Sequence, residues 1–171
     1  RHDPCGVYFD DGLSGNYVYG NVMSNLPCGF FGNCGSENVI VDNVILDGRT
    51  GTINGIRTSN GHATMSIAQR WARNREAKET YEAFLALNDV KKQEVRERYP
   101  LEAALYDRIS TARASEKGEN TTGLFAAHDN YAARNVIVNC KGVGMEGTDH
   151  IDLNNVILSE NPFVNVQAHD F

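Results

Sequence analysis

A repeat of about 20 to 23 residues constrains this chain more than any other feature, because a period in that range dictates the architecture before any local propensity is considered. Pro4-Cys5-Gly6-Val7-Tyr8-Phe9 returns as Pro27-Cys28-Gly29-Phe30-Phe31-Gly32 and, more weakly, as Cys140-Lys141-Gly142-Val143-Gly144-Met145. A second element follows within the units: Gly20-Asn21-Val22-Met23, Asp42-Asn43-Val44-Ile45, Arg134-Asn135-Val136-Ile137 and Asn154-Asn155-Val156-Ile157. A short Gly-led apolar strand, a polar turn, and an Asn before β-branched residues suit a chain that winds round an axis, each coil stacking on the last. The expectation is a parallel β solenoid, not a sandwich. Asn21, Asn43, Asn135 and Asn155 are expected to stack as an internal ladder, their amides satisfying backbone groups of neighbouring turns and their side chains tolerating left-handed turn geometry. Val22, Val44, Val136 and Val156, with Ile45, Ile137 and Ile157, fill the stack.

The segment from Trp71 to Lys117 breaks the repeat. Rich in Ala, Glu, Lys, Arg and Leu, it reads as a helical insertion between coils, over residues 72–117 of a single domain spanning 1–171. Asn88 is the expected N-cap of a short charged helix from Val90 to Tyr99, and Pro100 the first residue of the next. Ala63 to Ile67 alternates in the manner of a strand. Coils are therefore expected to open at Gly6, at Gly29, near Ala63, at Gly123 and at Gly142, with another near Phe163.

Gly6-Val7-Tyr8-Phe9-Asp10-Asp11-Gly12-Leu13-Ser14-Gly15-Asn16-Tyr17-Val18-Tyr19-Gly20-Asn21 resembles the coil signature of the pectate-lyase-like right-handed parallel β-helix family. Asn38 to Ile45 and Arg134 to Cys140 look like the same repeat, and the insertion around Arg96-Glu97-Arg98-Tyr99-Pro100-Leu101-Glu102 looks like one found in large secreted bacterial members. The fold class implied is all-β, a right-handed parallel β-helix with an α-helical insertion. The resemblance implies a secreted, carbohydrate-active protein that holds a polysaccharide in a groove along its first sheet, as a lyase, a glycoside hydrolase, or a non-catalytic glycan-binding or structural solenoid. A repeat motif specifies coils and not a reaction.

Asp10 and Asp11 follow an apolar strand at the exposed end of a coil, so they are the first candidates for catalysis, beside the ordinary reading of Asp-Asp-Gly as a turn. A glycosidase needs a second carboxylate about 5–10 Å away. Glu146 falls in the equivalent column of a later coil, too many strands off to pair directly. For a lyase, His62 is the candidate proton-transfer group, and Arg57, Arg70, His128 and Glu146 the candidates for binding substrate; for the His and Arg residues an ordinary solvated loop position is the commoner case. Arg57 and His62 read as a polar loop before a strand, and Arg70 as following it. Tyr8, Phe31 and Phe125 fall in one column and Tyr17, Tyr19 and Tyr131 in turns; such stacks more often fill a solenoid core than bind sugar, while a surface Tyr or Trp71 is a candidate sugar platform.

Of the four cysteines, Cys5 and Cys28 hold equivalent places in adjacent coils and are expected either to bridge or to stack as thiols. No cofactor is expected, although Asp10, Asp11 and a carbonyl could accept calcium. A formal charge of −6 without a basic cluster argues against nucleic acid, and no apolar run approaches the ~20 residues that span a bilayer. The chain starts at Arg1 and shows no capping element at either end, so it reads as part of a longer solenoid with possible self-association through open coil ends.

Overall fold

The computed structural model describes residues 5–10, 12–46, 54–61 and 64–162. Contacts divide the chain into two compact units, Arg1–His62 with Ala126–Phe171, and Ala63–Phe125.

The first unit consists of short strands because its sequence alternates β-branched or aromatic residues with corner residues every few positions. They are β1 (Cys5–Phe9), β2 (Tyr17–Tyr19), β3 (Val22–Ser24), β4 (Cys28–Asn33), β5 (Val39–Val41), β6 (Val44–Leu46), β7 (Ile56–Ser59), β8 (Tyr131–Ala133), β9 (Val136–Val138), β10 (Val143–Met145), β11 (Ile151–Leu153) and β12 (Val156–Leu158). They form three four-stranded sheets, ordered β1-β4-β7-β10, β2-β5-β8-β11 and β3-β6-β9-β12. Every pairing is parallel. Three successive strands, one per sheet, make one coil, and the stack is consistent with a β-helix solenoid.

Register makes the core. Val7, Phe30, Ile56 and Val143 align across the first sheet, Val18, Ile40, Ala132 and Asp152 across the second, and Met23, Ile45, Ile137 and Ile157 across the third. Apart from Asp152 and Ile157, these residues pack into one apolar cluster.

Asn21, Asn43, Asn135 and Asn155 do form a ladder. Each backbone N–H and side-chain amide donates to the Oδ1 of the next Asn, at 2.8–3.1 Å. A second ladder, Asn16, Asn38 and Asn130, runs in the same sense and ends where the Asn130 N–H donates to His150 Nδ1. The left-handed residue is not the ladder Asn but the one before it: Gly20, Asp42, Arg134 and Asn154 in one row, Gly15, Glu37, Asp129 and Asp149 in the other. This placement puts the ladder side chain inside the corner while its predecessor turns the chain.

The coil openings differ from the expectation at two places. The third strand of the first sheet is β7, and neither Thr64 to Ser66 nor Gly123 to Phe125 contains a strand. The helical segment therefore enters the chain within the third coil, between β7 and β8, rather than between coils. Ile67 opens a helix because Ser66 accepts from the Gln69 N–H while Gln69 returns a bond to the Ser66 N–H, a capping box that overrides the apparent strand alternation. Phe163 lies outside the described residues.

The second unit holds α1 (Ile67–Arg73), α2 (Arg75–Leu85), α3 (Asp89–Arg98), α4 (Pro100–Arg113) and a 3-10 turn at Gly118–Asn120. Asn88 caps α3 through Lys91 N–H, and Pro100 starts α4. Ile67, Trp71, Tyr81, Ile109 and Ala112 form its core. Among the described residues no helix is long and apolar enough to cross a membrane.

Candidate binding face on the first sheet

On β1 and β4, Val7, Phe9 and Phe30 point into the core, so the alternate residues Tyr8 and Phe31 lie on the other face. Their rings stack at 5.2 Å between centroids and 8° between planes. The third place in this column belongs to Arg57, paired with Phe31, and its guanidinium sits 4.2 Å from the Phe31 ring centre. Gly144 is the fourth. A Cβ there would overlap the amide of Asn54, so the missing side chain leaves room for that amide at the end of the column.

Arg57 is thus a strand residue, not a loop residue. Phe125 does not belong to the column; it lies in the second unit, 5.8 Å from the Arg70 guanidinium. Tyr17 and Tyr19 flank the buried Val18 on β2, and Tyr131 opens β8, so none of the three sits in a turn.

Two residues further along each strand runs a polar column. Asn33 pairs with Ser59, and Asp10 and Glu146 lie one residue beyond the paired Phe9–Gly32 and Met145–Thr58. Asn33 Nδ2 donates to Asp10 Oδ1 at 2.9 Å, and Ser59 Oγ donates to Asn33 Oδ1 at 3.1 Å. The Glu146 carboxylate accepts the Asn60 N–H at 3.0 Å. Asn60 in turn accepts the Ala127 N–H at 2.9 Å, which ties the end of this column to the next corner. There His128 Nδ1 meets Asp129 Oδ2 at 2.8 Å, while the His128 N–H donates to Ser36 Oγ.

The expected site residues therefore separate into groups. Asp10, Arg57 and Glu146 share one sheet face, and His128 stands at the corner beyond it. Arg70 belongs to α1 in the second unit, where it was expected to follow a strand. Asp11 and His62 lie outside the described residues. Asp10 and Glu146 are three strand steps apart, roughly 14 Å at ~4.8 Å per step, too far for the two carboxylates of a glycosidase. Trp71 is buried against Tyr81, so it offers no platform.

Reading the sequence missed Asn33, Ser59 and Asn54. A period-two count from Phe31 and Arg57 would have placed the first two on the outer face. Among the described residues no three His, Cys, Asp or Glu gather to hold a metal; the calcium expectation includes Asp11, which lies outside the described residues. Cys5 and Cys28 stand in register and are not joined by a disulfide. Compared with known proteins, the chain matches no family model, no curated protein and no solved structure.

Proposed function

We propose that this chain is a right-handed parallel β-helix of the pectate-lyase-like kind, secreted, whose first sheet binds a polysaccharide without cleaving it. The observation that carries this reading is the Tyr8–Phe31–Arg57 stack beside the Asp10–Asn33–Ser59 hydrogen-bonded column. The exposed Tyr8 ring, backed by the buried Phe31, gives a sugar's apolar face a surface, and adjacent amide, hydroxyl and carboxylate groups meet its hydroxyls. The ligand favoured is a neutral polysaccharide. Arg57 is the one cation in these two columns, whereas Asp10 and Glu146 stand at the two ends of the polar one and repel a polyuronate. The carboxylate separation is what favours binding over hydrolysis.

The test is binding to a panel of neutral and acidic polysaccharides by affinity electrophoresis and calorimetry, with reducing ends and unsaturated-uronate absorbance followed in parallel. A neutral polymer should bind, and Tyr8→Ala and Arg57→Ala should each weaken it about tenfold, ~1.4 kcal/mol, with unchanged circular dichroism. Absence of binding across the panel, or wild-type binding by both variants, overturns the reading. Cleavage that is lost in Asp10→Asn would replace it with a catalytic one.

A further inference from the structure

Two thiols on the first sheet stand where a bridge between coils needs them. Cys5 on β1 and Cys28 on β4 are paired residue to residue across neighbouring parallel strands. The usual strand spacing of ~4.8 Å falls inside the Cα separation of about 4.4–6.8 Å that a disulfide spans. A bridge also needs both side chains to leave the sheet on one side, and the residues that follow, Gly6 and Gly29, fix that side. A Cβ on Gly6 would run into Met23 and Leu26, and one on Gly29 into Ile45, all of which belong to the apolar core. The preceding Cys5 and Cys28 therefore project from the outer face. The charge of Arg57, which stands on that face, reaches Cys28, and the Cys5 and Cys28 side chains are within hydrogen-bond reach of each other.

The other two cysteines are placed differently. Cys140 packs into the apolar core of the coils, and Cys34, 1% exposed, occupies a left-handed corner past β4. Within the pair, Cys28 is 2% exposed and Cys5 half-buried, so a small oxidant meets Cys5 first.

The geometry points to Cys5 and Cys28 as a thiol–disulfide exchange site, whose substrate is a small-molecule disulfide such as oxidised glutathione and whose product is a bridge between the first two coils. The Cys5 thiolate attacks one sulfur of the oxidant, forming a mixed disulfide and releasing one glutathione thiolate. The Cys28 thiol then gives its proton to solvent and attacks the Cys5 sulfur, and the second glutathione leaves. Two protein thiols are oxidised, one small disulfide is reduced to two thiols, and no other reactant is consumed. The second step gives up the bond that Cys28 Sγ donates to the Phe30 carbonyl at 2.8 Å. Burial holds the proton on Cys28, so this step is the slower one and quickens as pH rises. For the same reason Cys28 leaves poorly when a reductant attacks the Cys5 sulfur, and the closed bridge opens slowly. The bridge ties β1, which carries Tyr8, to β4, which carries Phe31, whatever that face binds.

The test starts from the 171-residue chain, folded and reduced, and exposes it to oxidised glutathione over a range of mildly alkaline pH. Mass spectrometry with non-reducing peptide mapping should find one intramolecular link, Cys5 to Cys28, and a mass lower by two hydrogens. The urea midpoint should shift upward and return slowly under a dithiol reductant. The mixed disulfide on Cys5 should appear first, and its closure should quicken with pH. Cys28→Ala should stop at that mixed disulfide, and Cys5→Ala should form neither product, with circular dichroism as the check on folding. The wild-type arm stands without the variants. Folded wild type that stays reduced, a mixed disulfide that never closes, a link between other cysteines, or a bridge that forms only in urea would each overturn the inference.

Discussion

Asn43 donates both its backbone N–H and its side-chain amide to the single Oδ1 of Asn135, at 3.0 and 2.9 Å, and neither residue is more than 1% exposed. The Asn43 amide also reaches the carbonyls of Val18 and Val41, and its own Oδ1 accepts two bonds from Asn21. One side chain thereby satisfies backbone groups on two coils. Asn43→Ala should destabilise the fold by about 3–5 kcal/mol, since each buried group left unpaired costs ~1–3 kcal/mol and the losses overlap. Asn155→Ala, at the edge of the stack, should cost about 1–2 kcal/mol by the same reasoning. Urea unfolding of the two variants checks this, and equal losses would remove the ladder as the cause.

Arg134 and Asp42 occupy stacked left-handed corners and meet through two bonds, 2.8 and 2.6 Å. The hydrogen bond from Arg134 holds the Asp42 carboxyl below its ordinary value, with the guanidinium charge adding to it. A depressed folded value means the contribution is present above the unfolded carboxyl's ~3.9 and is lost as pH falls through the lower folded value. Arg134→Gly keeps a residue suited to the positive φ and removes the cation. The stability difference between wild type and Arg134→Gly should be flat above about pH 5 and shift toward a smaller wild-type advantage under acid conditions. A difference that does not vary with pH would show that the pair contributes nothing at this exposed corner.

How far the sequence foretold this structure depends on whether residue identity repeats along with position. The Asn21 ladder was legible because Asn recurs before β-branched residues in all four coils. The parallel ladder of Asn16, Asn38 and Asn130 was hidden by its last member, since His150 supplies a ring nitrogen in place of an amide oxygen. The left-handed row was hidden more deeply: Gly20, Asp42, Arg134 and Asn154 share a backbone conformation and little chemistry. β7 escaped notice because Ile56 stands alone among Gly, Arg, Thr and Ser, and it is held in place by pairing with β4 and β10 rather than by its own propensity. That single omission moved Arg57 from strand to loop and let Phe125 take its place in the aromatic column. Asp10 and Glu146 were placed in a common column correctly, since column position follows from repeat counting alone.

Gly29 tests how closely the coils pack. A Cβ added there would lie 2.6 Å from Cδ1 and Cγ1 of Ile45, which is 1% exposed, so the corner must open or the core must shift. Gly29→Ala should cost about 1–3 kcal/mol, a typical overpacking penalty. Because the obstacle is one side chain, Ile45→Val should cost less in the Gly29→Ala background than in wild type. Additive losses in a double-mutant cycle would place the strain in the backbone of β4 instead.

Cys28 should give the fold a decline in stability at alkaline pH. Burial pushes its thiol well above the ordinary value, and the adjacent Cys5 adds to that, while the Arg57 charge and the Phe30 backbone act weakly the other way. In the unfolded chain the same thiol ionises near its free value of ~8.5. The raised folded value means that the contribution is complete below about pH 8.5 and is lost as pH rises, because the unfolded state alone gives up the proton. The slope expected from this one group approaches ~1.4 kcal/mol per pH unit between about pH 9 and 10. Lysines and tyrosines also begin to titrate there, so the quantity to measure is the difference between wild type and Cys28→Ala. Their urea-unfolding free energies should converge from pH 8 to pH 10, and iodoacetamide should label Cys28 in the folded protein far more slowly than in urea. A constant difference across that range would mean that Cys28 ionises as readily in the fold as outside it, and that the first two coils part easily around it.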